Sequence, residues 1–148
     1  MDRKIKAFTL IEILIVIAIL SILMAIIYRP IAQKIEEVKV EKDVKRIYGL
    51  LQEGRMIAFT QKKDLKFELS GSQACLKDVS NNNNVIKCIS LEVPFSPVTV
   101  DISNRGTFGS QTSIYYTGSV KVITTDCVVV SWTRVRLGVY DGSKCNAK

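Results

Sequence analysis

Histidine is absent from all 148 residues. Its absence removes the commonest general base and the Ser-His and Cys-His arrangements of nucleophilic catalysis. Carboxylate pairs offer another acid–base route, but the acids are scattered and mostly interleaved with lysines. A non-enzyme is the default. The cysteines Cys75, Cys88, Cys127 and Cys145 lack C-x-x-C spacing, which with the missing histidine argues against zinc. A-x-A spacing is also lacking: Ser21, Ala25 and Ala32 are poorly arranged for a secretory signal cleaved after its apolar region. There is no internal repeat and no long linker.

What the chain does have is an apolar run of 20 residues, Phe8 to Ile27, interrupted by one acid, Glu12. As a helix it measures about 30 Å, the thickness of a bilayer's hydrocarbon core. The run is preceded by a basic head, Met1-Asp2-Arg3-Lys4-Ile5-Lys6-Ala7. A charge near the centre of such a span costs roughly 2.5–3.5 kcal/mol on insertion scales, so Glu12 needs a reason. A plain signal anchor explains the length and the basic head but gives Glu12 no role.

Beyond the helical part of the chain, roughly 80–85 residues remain for the core of one small domain, a size at which covalent staples help. All four cysteines lie in that distal part. An even number on a small exported domain reads as a disulfide framework. Of the three pairings, Cys75–Cys88 across a hairpin and Cys127–Cys145 tying down the C-terminus are favoured; the alternative is four reduced core thiols. The formal charge is +7. Asp2, Arg3, Lys4 and Lys6 carry a net +2 of this, so a chain starting at Phe8 carries +5. That excess permits contact with nucleic acid or acidic headgroups without implying either.

The order of basic head, small residue and Phe8-Thr9-Leu10-Ile11-Glu12 resembles the class III signal of type IV pilins and pseudopilins. The resemblance implies cleavage between Ala7 and Phe8 by a prepilin peptidase on the cytoplasmic side, and N-methylation of Phe8. Alanine stands at position 7, where the family overwhelmingly has glycine. Glu12 becomes the fifth residue of the mature chain, positioned to pair with the Phe8 amine of a neighbouring subunit and set axial register. The competing reading of Glu12 is a snorkelling or protonated side chain near the membrane interface. Charge counting does not set the orientation, because Arg29, Lys34, Lys39, Lys42 and Lys45 follow closely and a long domain comes after them. The resemblance and the cysteines place the domain outside the cytoplasm.

The helix is expected to continue past Ile27, bent at Pro30, which removes one backbone hydrogen bond. From Ile31 to about Lys62 the pattern is charged and helical, with Val40, Val44, Ile47, Leu51 and Ala58 on one stripe. Glu41 and Lys45 form an i,i+4 pair in the favourable order. Gly49 and Gly54 weaken the helix locally and permit close approach to a sheet. Near Lys63-Asp64 the period becomes alternating. Strands are predicted at Leu65–Leu69, Ala74–Val79, Val85–Leu91, Val98–Ile102, Ser113–Thr117, Val120–Thr125, Cys127–Ser131 and Val135–Tyr140. Asn81 to Asn84 reads as a hairpin loop.

The expected fold class is α+β: a long N-terminal hydrophobic helix packed on a C-terminal antiparallel β-sheet domain. Its parts are a leader at 1–7, a transmembrane or filament-core helix at 8–29, an amphipathic continuation at 30–64 and an extracytoplasmic β domain at 65–148.

A looser resemblance covers the distal domain. Val100 to Phe108, Val120–Thr125, Cys127–Ser131 and Thr133-Arg134-Val135-Arg136-Leu137-Gly138 are similar to the FimT/GspH-type minor pilins, which end in a Gly-Arg-x-Arg segment. Thr133 replaces that motif's glycine. In FimT-type proteins the segment is implicated in DNA binding for uptake. On a regular strand Arg134 and Arg136 share a face that Trp132 joins, an arrangement suited to phosphate clamping and base stacking. The plainer alternative is an exposed strand with Trp132 packed against an arginine.

The resemblance thus implies a minor pilin or pseudopilin of a type IV pilus or type II secretion filament. Its partners would be other pilin subunits, the prepilin peptidase, an ATP-driven inner-membrane assembly platform and, before assembly, membrane lipid; no cofactor is implied. DNA capture for natural transformation and a membrane-anchored domain without a filament role are the alternatives.

Overall fold

A computed structural model of the chain describes residues 9–119 and 124–147. Its first element is one long helix, α1 (Leu10–Gln61), which continues through Pro30. The described chain divides between Ile35 and Glu36 into two compact units.

The first unit contains only the helix start. Every described side chain from Leu10 to Tyr28 is exposed, and one 18-residue window of α1 has a mean hydropathy of 3.1. By length and composition this segment is able to cross a bilayer. The polar Ser21 donates its hydroxyl to the Ile17 carbonyl at 2.7 Å, so it adds little to the cost of an apolar environment.

The second unit joins the rest of α1 to two antiparallel sheets. The strands are β1 (Leu65–Ser70), β2 (Gln73–Asp78), β3 (Asn84–Ser90), β4 (Val98–Ile102), β5 (Thr112–Tyr115), β6 (Cys127–Val130), β7 (Val135–Tyr140) and β8 (Cys145–Ala147). They form two four-stranded sheets, in the orders β3-β2-β1-β4 and β5-β6-β7-β8. The layout is the α+β, pilin-like one expected. Division into two sheets is new, since alternation along a strand fixes its faces but not its partners. β8 was also not anticipated, and the strand expected at Val120–Thr125 lies mostly outside the described residues.

The helical stripe is the keystone of the core. Val40, Val44, Ile47, Leu51 and Ala58 are all fully buried. They meet inward residues of β1 and β2, among them Leu65, Phe67, Leu69, Ala74 and Leu76, in one cluster that also takes in Ile114, Val128 and Val130 from the second sheet. Gly54 lets the helix come close: a β-carbon there would sit 2.7 Å from Leu76 Cδ2 and 3.1 Å from Ile102 Cδ1. Gly49 faces open space and serves no such approach.

Turn chemistry explains the ends of these elements. The helix stops at Lys62, whose φ is +53°, while the Lys63 amide donates back to Ala58 O at 3.2 Å. This is the six-to-one bond of a Schellman cap. Between β2 and β3, Asn82 and Asn83 both take positive φ, which asparagine tolerates better than other side chains. The asparagine run is therefore a turn device. Past β7, the Asp141 carboxylate accepts from the Ser143 and Lys144 amides, the Ser143 hydroxyl and Asn146 Nδ2. Those donors hold its pKa well below the usual carboxylate range.

Two disulfides close the sheets. Cys75 and Cys88 are opposite one another in the β2–β3 ladder and are bonded. Cys127 on β6 bonds Cys145 on β8, passing over β7 at Gly138. Gly138 has to be small, because a β-carbon would lie 2.5 Å from Asn146 O and 2.9 Å from Cys145 Sγ. Loop-closure entropy for a bridge of this span, 18 residues, amounts to about 3 kcal/mol.

Of the buried acids among the described residues, Asp43 is the one with no exposure at all. Asp43 is completely buried on α1, and its Oδ2 accepts the amides of Glu92 (2.5 Å) and Val93 (3.1 Å). Arg46 pairs with its other oxygen at 3.4 Å and also donates to Ser90 O at 2.7 Å. Together they latch the segment following β3 onto the helix.

Candidate functional site

The candidate assembly site lies at the start of α1, and local chemistry explains why the helix begins there. Thr9 is its N-cap: its carbonyl accepts the amides of Glu12 (3.1 Å) and Ile13 (3.3 Å), and its hydroxyl lies 3.4 Å from the Glu12 amide. Thr9-Leu10-Ile11-Glu12 is the spacing of a capping box, with Glu12 at the third helical position. A negative side chain in the first turn also complements the helix dipole. Glu12 is thus an acid in the first turn of its own helix, a favourable place for one. That effect is several-fold weaker than the cost of a charge at mid-bilayer, so the helix dipole alone does not account for Glu12.

Ala7 and Phe8, the expected cleavage pair, lie outside the described residues. Glu12 is exposed, on a segment whose described side chains to Tyr28 are otherwise uncharged and also exposed. The isolated chain therefore presents a long apolar surface with a single carboxylate near its start. Such a surface needs a lipid or protein environment.

Trp132, Arg134 and Arg136 sit at a turn rather than along one regular strand. Only Arg136 belongs to β7, opposite Val129 on β6. Trp132 and Thr133 form the bend between β6 and β7, which the Ser131 amide closes on Arg134 O at 2.8 Å. Trp132 lies in that bend, so strand alternation does not extend to it, whereas Arg134, Val135 and Arg136 run exposed, buried, exposed, the alternation of a strand. All three side chains are exposed, Trp132 at 54%. Among the described residues the cation–π contact is Lys62 over Phe59, so no arginine stacks on Trp132.

Buried Asp126 organises this sheet from within. Its carboxylate accepts the Tyr140 amide at 2.6 Å, and burial raises its pKa against the lowering effect of that bond. Among the described residues there is no cluster of three His, Cys, Asp or Glu able to hold a metal.

Compared with known proteins, residues 2–28 match the family model described as the prokaryotic N-terminal methylation motif. That match supports a type IV pilin-like protein carrying a prepilin signal. No curated protein and no solved structure matches the chain.

Proposed function

We propose that this chain is a minor pilin or pseudopilin, a structural subunit incorporated into a type IV pilus or type II secretion filament or its tip complex. The observation carrying this reading is the methylation motif at residues 2–28, whose helical stretch from Leu10 to Tyr28 is apolar, exposed and charged at Glu12 alone. In this reading a prepilin peptidase cuts between Ala7 and Phe8, and Phe8 is methylated. The chain waits in the inner membrane with its β domain outside the cytoplasm. An assembly platform then extracts it, and the Phe8 amine of one subunit meets Glu12 of another. The reading asks for no catalysis and no cofactor.

Filaments sheared from cells and purified by sedimentation test it. The chain should co-purify with them and vanish from that fraction when the assembly ATPase is deleted. Retention in the membrane with no filament-borne fraction would instead indicate an anchored β domain.

A second reading, DNA capture, is favoured by the exposure of Arg134 and Arg136 and by their freedom from ion pairs among the described residues. Exposed Trp132 beside them supplies an aromatic face.

A further inference from the structure

Cations of the second unit divide into paired and unpaired ones, with Lys39, Lys62 and Lys144 in no ion pair among the described residues. Lys42, Lys45, Lys63, Lys66, Lys77 and Lys87 are all held in ion pairs with carboxylates. Arg46 is held by Asp43 and Ser90. Arg55, Arg105, Arg134 and Arg136 have no ion pair or side-chain hydrogen bond among the described residues. Two of these four, Arg55 from the helix and Arg105 from the turn after β4, line one groove of about 390 Å³ with Gln52, Met56, Phe59 and Gly106.

The groove is built by the fold. Gly106, at φ +75°, brings the turn onto the helix: a β-carbon there would lie 3.4 Å from both Arg55 Cγ and Phe59 Cβ. The turn is itself closed by Gly106 N to Ser103 O and Ser103 N to Thr107 O, both 2.8 Å. Met56 is 67% and Phe59 56% exposed, unusual values for such large apolar side chains beside a packed turn. Lys62 lies over the Phe59 ring at 4.1 Å, adding a third cation. Just beyond, the Phe108 amide donates to Trp132 O at 2.9 Å, which sets this turn beside the Trp132–Arg134 bend.

We infer that the Arg55–Phe59–Arg105 groove is a binding site for single-stranded nucleic acid, with the two guanidiniums on phosphates and Phe59 and Met56 against a base. The inference rests on the DNA-capture reading and extends it from the Trp132 bend to a second contact. Free guanidiniums match phosphate oxygens in a forked geometry. An exposed aromatic ring in the same groove suits a base, whereas a purely acidic peptide would leave it unused.

The test uses the full chain in non-ionic detergent micelles and a fluorescent 20-residue oligothymidylate, titrated at several salt concentrations. The basic head is common to all variants, so differences report the distal unit. Arg55→Gln with Arg105→Gln should weaken binding about tenfold and flatten the salt dependence by about 1.4 in log–log slope, the value for two single-strand phosphates. Phe59→Ala should weaken binding about tenfold with the slope unchanged. Intact disulfides and an unchanged melting temperature would show that the fold survives. Binding that falls only with Arg134→Gln and Arg136→Gln would overturn the groove but leave the DNA reading standing. No salt-sensitive binding by the parent would overturn both. Displacement of the oligonucleotide by polyglutamate as effectively as by DNA, charge for charge, would overturn the nucleic-acid assignment.

Discussion

Replacing Glu12 with alanine is expected to leave membrane insertion intact and to cut filament incorporation more than a hundredfold. Insertion is eased because a charge leaves the apolar run. Incorporation falls because the Phe8 amine of the neighbour would be left buried without its partner, a loss of about 3–5 kcal/mol for a pair broken from one side. A second substitution separates this role from helix capping. Glutamine keeps the capping-box spacing with Thr9 but carries no charge. If the ion pair sets the register, Glu12→Gln should assemble as poorly as Glu12→Ala, measured as the filament-to-membrane ratio of the chain. Parental assembly of Glu12→Gln would reduce Glu12 to a capping residue.

Loss of the Asp43 carboxylate is expected to destabilise the second unit by about 3 kcal/mol. Two backbone donors, Glu92 N and Val93 N, converge on this fully buried group, and alanine would leave both without an acceptor. Each buried donor left unsatisfied costs about 1–3 kcal/mol. Thermal unfolding in micelles should show a drop of roughly 10 °C or more for a unit of this size. Asp43→Asn, which keeps one carbonyl oxygen in place, should fall between the two. A change within about 0.5 kcal/mol, the range of ordinary surface substitutions, would show that the segment after β3 does not depend on this latch.

The two groups differ in how they show in sequence. Glu12 stands out because it interrupts an apolar run. Asp43 looks like any charge on a lysine- and glutamate-rich helix, and the amides it accepts lie 49 and 50 positions away. The buried stripe from Val40 to Ala58 was readable for the opposite reason, since a helix records its packed face in local spacing. Strand positions were readable from alternation, but pairing was not. Nothing local in β5 to β8 separates them from β1 to β4, and β8 is three residues long, paired to β7 and tied by Cys145 to β6.

The capping box at Thr9–Glu12 was present in the sequence, hidden behind the more conspicuous question of a charge in a membrane span. The Arg55–Arg105 groove was not readable, because its halves are 50 residues apart and meet only through the Gly106 turn. For Trp132 the bend was not readable from strand alternation. Ser131 to Arg134 closes as a turn, so Trp132 falls off the strand whose alternation Arg134 and Arg136 keep.

The most direct measurement is mass spectrometry of the N-terminal peptide from protein isolated from its native membrane or filament. The account predicts a peptide that begins at Phe8 and carries one added methyl group on its amine, with residues 1–7 gone. A peptide beginning at Met1 in assembled material would contradict it, because the amine that is to meet Glu12 would then never be formed at that position.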